Sequence, residues 1–421
     1  MPPALLDPDN VERARRAGDR GLCDHCLGRL FGKVETGLTN PQRSARLRAA
    51  TGAGEVEPAA CHVCEGLFGE LDRLAAVAAE ALAPFEFTRY LIGTKVDADV
   101  LAREQTLAAE LGCENTEPAN SELNREIGKR VAHLRPGIDV EFRDPEVTAV
   151  VDTRFDHVTL QHGGLFLYGR YRKFDRGIPQ TVWPCRRCRG RGCETCGRTG
   201  KQYMTSVQEL VQGPALEASG ATQAAFHGAG REDIDARMLG SGRPFVLELK
   251  DPKVRSLDLA ALVARVNQEA SGRAEVDGLR FARKAEVQHV KEFHGRKTYR
   301  AHVQFDGPVA AETLNKAIAA LRGRAIAQRT PSRVEHRRAD LVRERVVQDV
   351  TVEGLRETAA DLVIVGDAGL YIKELVSGDE GRTQPSLAGL LGVPARVRTL
   401  DVLDVQYEDA GAKGTPRGSP P

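Results

Sequence analysis

Apolar residues at Leu67, Leu71, Leu74, Ala78 and Leu82 recur at helical spacing until Pro84 interrupts them, which predicts a helix. Phe85, Phe87 and then Leu91-Ile92 read as a strand. Further helices are predicted around Val100 to Leu111 and through Leu123, Ile127, Val131 and Leu134, with strands near Val140-Phe142 and Val147-Val151. From Gln202 onward the pattern becomes a long α/β region. Leu259, Leu262, Val263 and Val266 mark one helix and Leu314, Ala317, Ile318 and Leu321 another. The strand Tyr299-X-Ala301-X-Val303-X-Phe305 alternates, which turns Tyr299 toward the core. Val363 to Gly369 reads as a core strand and turn. Leu165 to Phe174 interleaves aromatic and basic residues, and two readings of it stand level. Its rings would stack on RNA bases while its cations hold phosphates, or it is an edge strand with rings inside and arginines in water.

The chain has 421 residues, 41% hydrophobic and 28% charged, which suits a globular protein of two to four domains with sizeable cores. No apolar run approaches the ~18 residues that span a bilayer, and the charged N-terminus lacks a signal-peptide core. A cytoplasmic protein without a membrane partner is expected. Net charge is only +1, yet residues 160–204 hold ten Lys or Arg against two acids and residues 322–345 eight Arg against three. Local basic segments in a near-neutral chain suit a protein that grips a polyanion on one face. The expected organisation is an N-terminal region 1–82, an α/β module 83–180, a cysteine hairpin 181–200, a catalytic domain 201–407 and a disordered tail 408–421.

Nine cysteines fall into four Cys-X-X-Cys pairs plus Cys113, a pattern that in a cytosolic protein favours zinc over disulfides. Cys23, Cys26, Cys61 and Cys64 would close one tetrahedral structural site, with His25 and His62 as alternative ligands. The stretch between these pairs, with Gly37, Thr39, Asn40, Pro41 and Thr51-Gly52, shows little core of its own, so the metal is expected to order it. Cys185, Cys188, Cys193 and Cys196, separated by glycines and accompanied by five arginines up to Arg198, would converge on a second ion. Pro184-Cys185-X-X-Cys188 is half of the zinc deaminase signature, but none of the ten histidines begins a His-X-Glu, so both zinc ions are expected to be structural.

Gly230-Arg231-Glu232-Asp233-Ile234-Asp235-Ala236-Arg237-Met238-Leu239-Gly240 and Ser241-Gly242-Arg243-Pro244-Phe245 place carboxylates and arginines on a glycine-bounded loop between apolar runs. With Lys297-Thr298-Tyr299-Arg300-Ala301 and Leu370-Tyr371-Ile372-Lys373-Glu374-Leu375-Val376-Ser377-Gly378-Asp379 in that order, the string resembles tRNA pseudouridine synthases. The likeness is to the archaeal type that modifies T-loop uridines 54 and 55, and it covers residues 200–405 and more loosely the N-terminal half. It implies a THUMP-type RNA-binding module followed by a mixed-sheet catalytic domain, so the fold class is α/β (α+β) with a zinc-knuckle N-terminus.

The resemblance also implies roles. Asp233 takes the place of the essential aspartate; Asp235, two positions on, would point the other way in an extended segment. Arg231 fills the gap left by a flipped nucleotide or holds its phosphate. Tyr299 stacks on the target base, Tyr371 contacts substrate, and Lys373 pairs with the catalytic carboxylate unless it is a surface lysine at a helix start. Arg170, Arg172, Lys173, Arg333 and Arg337 are the expected RNA contacts. The partner implied is the tRNA T-arm, bound by a monomer without a catalytic cofactor. A methyltransferase or thiolase with the same RNA-binding module would need a nucleotide-binding loop, and no Gly-X-Gly-X-X-Gly or Gly-X-X-X-X-Gly-Lys-Ser/Thr string is present. A zinc-stabilised RNA-binding protein without activity would leave Gly230 to Gly242 unexplained.

Overall fold

The computed structural model describes residues 4–337 and 339–407; the expected disordered tail and the side chain of Arg337 lie outside the described residues. The chain divides into two units, Met1–Gly163 and Gly164–Pro421. The first holds helices α1 (Pro8–Gly18), α2 (Asp24–Arg29), α3 (Asn40–Thr51), α4 (Leu71–Leu82), α5 (Ala98–Leu111) and α6 (Ala119–Leu134). Its strands β1 (Arg89–Lys95), β2 (Asp139–Val140), β3 (Val147–Asp152) and β4 (His157–His162) form a sheet in the order β2-β1-β3-β4. β1 runs parallel to both its neighbours, and β4 is antiparallel to β3. Leu74, Ala78 and Leu82 of α4 and Leu123, Ile127 and Val131 of α6 are buried with Tyr90 and Ile92 of β1, as the periodicity required.

The stretch between the first two cysteine pairs differs from expectation, because it carries its own helix. Thr39 caps α3 in a reciprocal capping box with Gln42, and Gly52 ends it at φ 73°. Arg43 donates to the carbonyls of Val34 at 3.0 Å and of Glu35 and Leu38 at 2.7 Å, so polar side chains order this region together with buried Leu47. The inner face of α3 is mostly polar, and an apolar pattern could not reveal it.

In the second unit, ten strands of the described residues form one sheet. They are β5 (Leu165–Lys173), β6 (Gln223–Gly228), β7 (Ala236–Lys250), β8 (Ala274–Ala282), β9 (Lys297–Phe305), β10 (Ala325–Arg329), β11 (Val342–Arg356), β12 (Ala359–Gly366), β13 (Thr383–Gln384) and β14 (Ala395–Val405). Their order is β13-β10-β11-β12-β9-β14-β7-β5-β8, with β6 also on β7. Only β14 and β7 pair in parallel among these, through Leu400 opposite Ala236. Helices α7 (Val207–Ser219), α8 (Leu259–Ala270), α9 (Lys284–Glu292), α10 (Ala311–Leu321), α11 (Ile372–Ser377) and α12 (Leu387–Leu391) complete the unit.

β5 corrects the expected 83–180 module. It lies inside the larger sheet, between β7 and β8, so the division falls at Gly163. Leu167 and Tyr171 pack into the main core while Phe166 and Tyr168 pack with Val246 and Val290 on the other side. Both faces of the strand are buried, which decides the aromatic-basic interleave in favour of a core strand and makes it an interior one.

Candidate active site

The loop from Ala229 to Asp235 joins β6 to β7 next to the parallel junction of the sheet. It is shorter than the expected span to Gly242, because β7 already begins at Ala236. Gly230 sits at φ 78°, which favours glycine, and a Cβ there would stand 2.9 Å from the Lys297 ammonium, so the end of that side chain would have to shift.

Behind the loop lies a buried polar network that the sequence did not reveal. The Arg243 guanidinium donates to Glu232 at 2.8 Å and to the Ala229 carbonyl at 2.7 Å. The Tyr171 hydroxyl donates to Glu232 at 2.8 Å and accepts from Gln180, whose amide also donates to the Gly230 carbonyl at 3.0 Å. Lys173, expected to hold phosphate, is fully buried, and its ammonium donates to the carbonyls of Ile178, Asp233 and Ile234 at 2.9, 3.3 and 2.9 Å. Its role is therefore to fix the loop backbone. Burial and then the Glu232 charge, against Arg243 and Gln180, push the Tyr171 hydroxyl well above the usual tyrosine range, so it stays protonated and able to donate to Glu232.

In front, Asp233 meets two cations. Its carboxylate accepts from Arg333 at 2.9 Å and lies 3.5 Å from the Lys373 ammonium at the start of α11. Burial would raise this carboxyl, but Arg333 and then Lys373 overcome it and hold Asp233 below the ordinary aspartate value. Arg333 is in turn fixed by Glu374 at 2.6 Å. It is a partner of carboxylates here, where a phosphate contact was expected. Asp235 does not point away: it shares the Lys373 ammonium at 2.7 Å, and at 64% exposure it is the more open of the two, against 27% for Asp233.

Tyr299 is buried on β9, and burial together with the Asp233 charge pushes its hydroxyl up to about 12, so the ring is neutral. Arg231 is exposed and stacks on Trp183 at 5.0 Å. The Tyr371 backbone is pinned by Gln328, whose amide takes its N–H at 2.9 Å and donates to its carbonyl at 3.0 Å. Two expected RNA contacts are already engaged. Arg170 donates to the carbonyls of Ser241, Gly242 and Val405, and Arg172 pairs with Glu275 and Asp277 at 3.1 and 2.9 Å. Their place in the interior strand β5, beside carbonyls and acids of its neighbours, accounts for the difference.

Residues 166–406 match the family described as "Pus10, C-terminal", and residues 74–152 match "Pus10 THUMP domain, archaeal". A protein of Halorubrum lacusprofundi named tRNA pseudouridine synthase Pus10 is 45% identical over 416 residues, covering 95% of this chain and 97% of that one. The chain belongs to the Pus10 family of tRNA pseudouridine synthases. The Pus10 of Methanothrix thermoacetophila is likewise 45% identical, with 91% of each chain covered. Among solved structures, a Cbf5-Nop10-Gar1 complex aligns with 47% of this chain and 44% of its own at 17% identity and a TM-score of 0.30, too low to carry an argument.

This Pus10-family chain also brings both sets of cysteines together. The sulfurs of Cys23, Cys26, Cys61 and Cys64 lie within 4.8 Å of one another, as do those of Cys185, Cys188, Cys193 and Cys196. Observed separations of 3.7 to 3.9 Å agree with the edge of a tetrahedron whose metal–sulfur bonds are about 2.3 Å. Both groups therefore have the donor set and spacing for zinc. Within each group the shifts divide: hydrogen bonding from Cys23 lowers Cys64 to about 7 and the backbone N–H of Cys193 leads those that lower Cys196 to about 6, while hydrogen bonding among the sulfurs pushes Cys26 up and burial pushes Cys188 up. His25 is not needed as a ligand: it pairs with Glu122 at 2.8 Å and stacks on Phe68.

Proposed function

We propose that this Pus10-family enzyme converts uridine to pseudouridine at positions 54 and 55 of the tRNA T-loop, with Asp233 as the nucleophilic carboxylate. The observation that carries the reading is the ionised Asp233 between Arg333 and Lys373 on a rigidly held loop. The reaction breaks the bond from ribose C1′ to uracil N1, turns the base, and joins C1′ to C5. N1 gains a proton and C5 loses one, so no oxidant or triphosphate is consumed. A flipped uridine would stack on Tyr299 while Asp233 answers the electron deficiency at C1′. Arg231 would contact the RNA beside the flipped nucleotide, and Tyr371 would line the same site. With Arg170, Arg172, Lys173 and Arg333 engaged within the protein, the phosphates fall to the exposed arginines 186, 187, 189, 191 and 198 of the cysteine hairpin. The enzyme would act as a cytoplasmic monomer on the T-arm, with one structural zinc ion in each cysteine group.

Mapping pseudouridines on an unmodified tRNA transcript after incubation with the pure protein tests this. Modification at both T-loop positions is expected; none at either would overturn the reading. Elemental analysis is expected to return two zinc ions per chain. An RNA-binding protein without activity is disfavoured, since it would have no use for the ion cluster around Asp233.

A further inference from the structure

Arg231 stands two residues before Asp233 on the clamped loop, yet its own side chain is exposed. Its guanidinium lies over the ring of Trp183, the single tryptophan of the chain, 5.0 Å from the centroid. Trp183 closes the base of the cysteine hairpin. Its carbonyl accepts from the Gln202 backbone at 2.9 Å, Pro184 bridges to Lys201, and the Cys185 N–H donates to the Gly200 carbonyl at 2.7 Å. Tyr203 stands edge-on to the indole, with centroids 5.8 Å apart at 84°. Closure of the hairpin thus sets the indole, and the indole face sets the guanidinium. A cation held over tryptophan keeps its charge and its donors while losing rotational freedom.

We propose that Trp183 is a positioning residue for the reaction: it holds Arg231 in the pose from which it meets the RNA, and so connects the cysteine hairpin to the catalytic loop. This rests on the reading of Arg231 as an RNA contact. The hairpin then does more than carry arginines, because its fold orients a side chain two residues from the nucleophile.

A double-mutant cycle on the single-turnover rate at saturating enzyme tests the connection, using Trp183→Leu, Arg231→Ala and the pair. Trp183→Leu is expected to slow the reaction about two- to fivefold, the scale of one exposed cation–ring contact. Trp183→Phe, which keeps a ring face, should restore most of the rate. The double variant should be no slower than Arg231→Ala alone; a rate reduced by the product of the two single effects would overturn the proposal. Zinc content and thermal midpoint identify a variant that has merely lost its fold. In that event the intrinsic fluorescence of Trp183 decides, with no substitution at the tryptophan. Saturating tRNA should change the emission of the wild-type protein, and Arg231→Ala should abolish that change; a change of equal size in Arg231→Ala, or none in the wild type, would overturn it. Failure to form pseudouridine would instead refute the functional reading, and the fluorescence result would stand apart from it.

Discussion

Glu232 and Asp233 are consecutive carboxylates in opposite surroundings. Glu232 points into the protein, 1% exposed, and meets Arg243 and Tyr171, so that its charge is satisfied by buried donors. Asp233 points out, 27% exposed, and meets Arg333 and Lys373, which keep it ionised while leaving it within reach. One peptide unit thus separates an anchor from a reagent. A buried pair can only hold the structure, whereas a carboxylate set between two partly open cations can be offered to a substrate.

Substituting each acid by its amide would separate these roles most sharply. Asp233→Asn is expected to abolish pseudouridine formation, with tRNA affinity near wild type and only a small fall in thermal midpoint, since its ion pairs are partly open to solvent. Glu232→Gln leaves Arg243 with a neutral partner in a dry site, and breaking such a pair costs about 3–5 kcal/mol. It should lower the denaturation midpoint strongly and reduce activity in proportion to the folded fraction. If Asp233→Asn destabilised the fold as much as Glu232→Gln, the two sides of the loop would not differ as described.

The local parts of this arrangement were legible in the sequence and the distant parts were not. Cysteine spacing revealed both four-sulfur groups because each pair closes within one turn. Helices α5, α6, α8 and α10 showed in their apolar periods. The loop string carried Asp233, yet its partner Arg333 stands 100 positions away and looked like one more arginine in a basic segment. Lys173 was misread for a related reason: a lysine that binds loop carbonyls and one that binds phosphate have the same composition and the same neighbours. Asp235 was expected to turn away as it would in a strand, but the loop is not extended there, and Lys373 draws both aspartates to itself.

That shared lysine yields a pH test with opposite signs. Asp233 is held below the ordinary aspartate value of about 3.9, so its ionised form, and the stability its ion pairs bring, are present above that pH and lost as pH falls through the lower folded value. Lys373→Met removes one cation, and the acidic limb of the single-turnover rate should move to higher pH. Asp235→Asn releases Lys373 toward Asp233, and the limb should move lower or stay, with activity retained. A limb unmoved by Lys373→Met would mean that Arg333 alone sets the charge of Asp233.

The smallest expected effect lies on the inner side, at Lys297. This first residue of β9 is buried beside Gly230, where burial first and then the Arg243 charge push its ammonium down to about 7, against a weaker pull from Glu232. The inner network thus holds three cations, Arg243, Lys173 and Lys297, for one carboxylate, and Lys297 is the one pushed down far enough to give up its proton near neutral pH. Below pH 7 the folded and unfolded chains both carry that proton, and the folded one bears the full cost of a buried ammonium. Between pH 7 and the ordinary lysine value of about 10.4, the folded chain has released the proton while the unfolded chain keeps it, so stability rises with pH across that window. Lys297→Met removes the group and should be more stable than wild type at pH 6 by about 1–3 kcal/mol, with the gap closing toward pH 10. Denaturant midpoints of the two proteins at pH 6, 8 and 10 measure this difference and cancel the titrations they share. A constant gap would show that Glu232 holds Lys297 charged throughout, and the inner side of the loop would then be balanced by two ion pairs on one carboxylate.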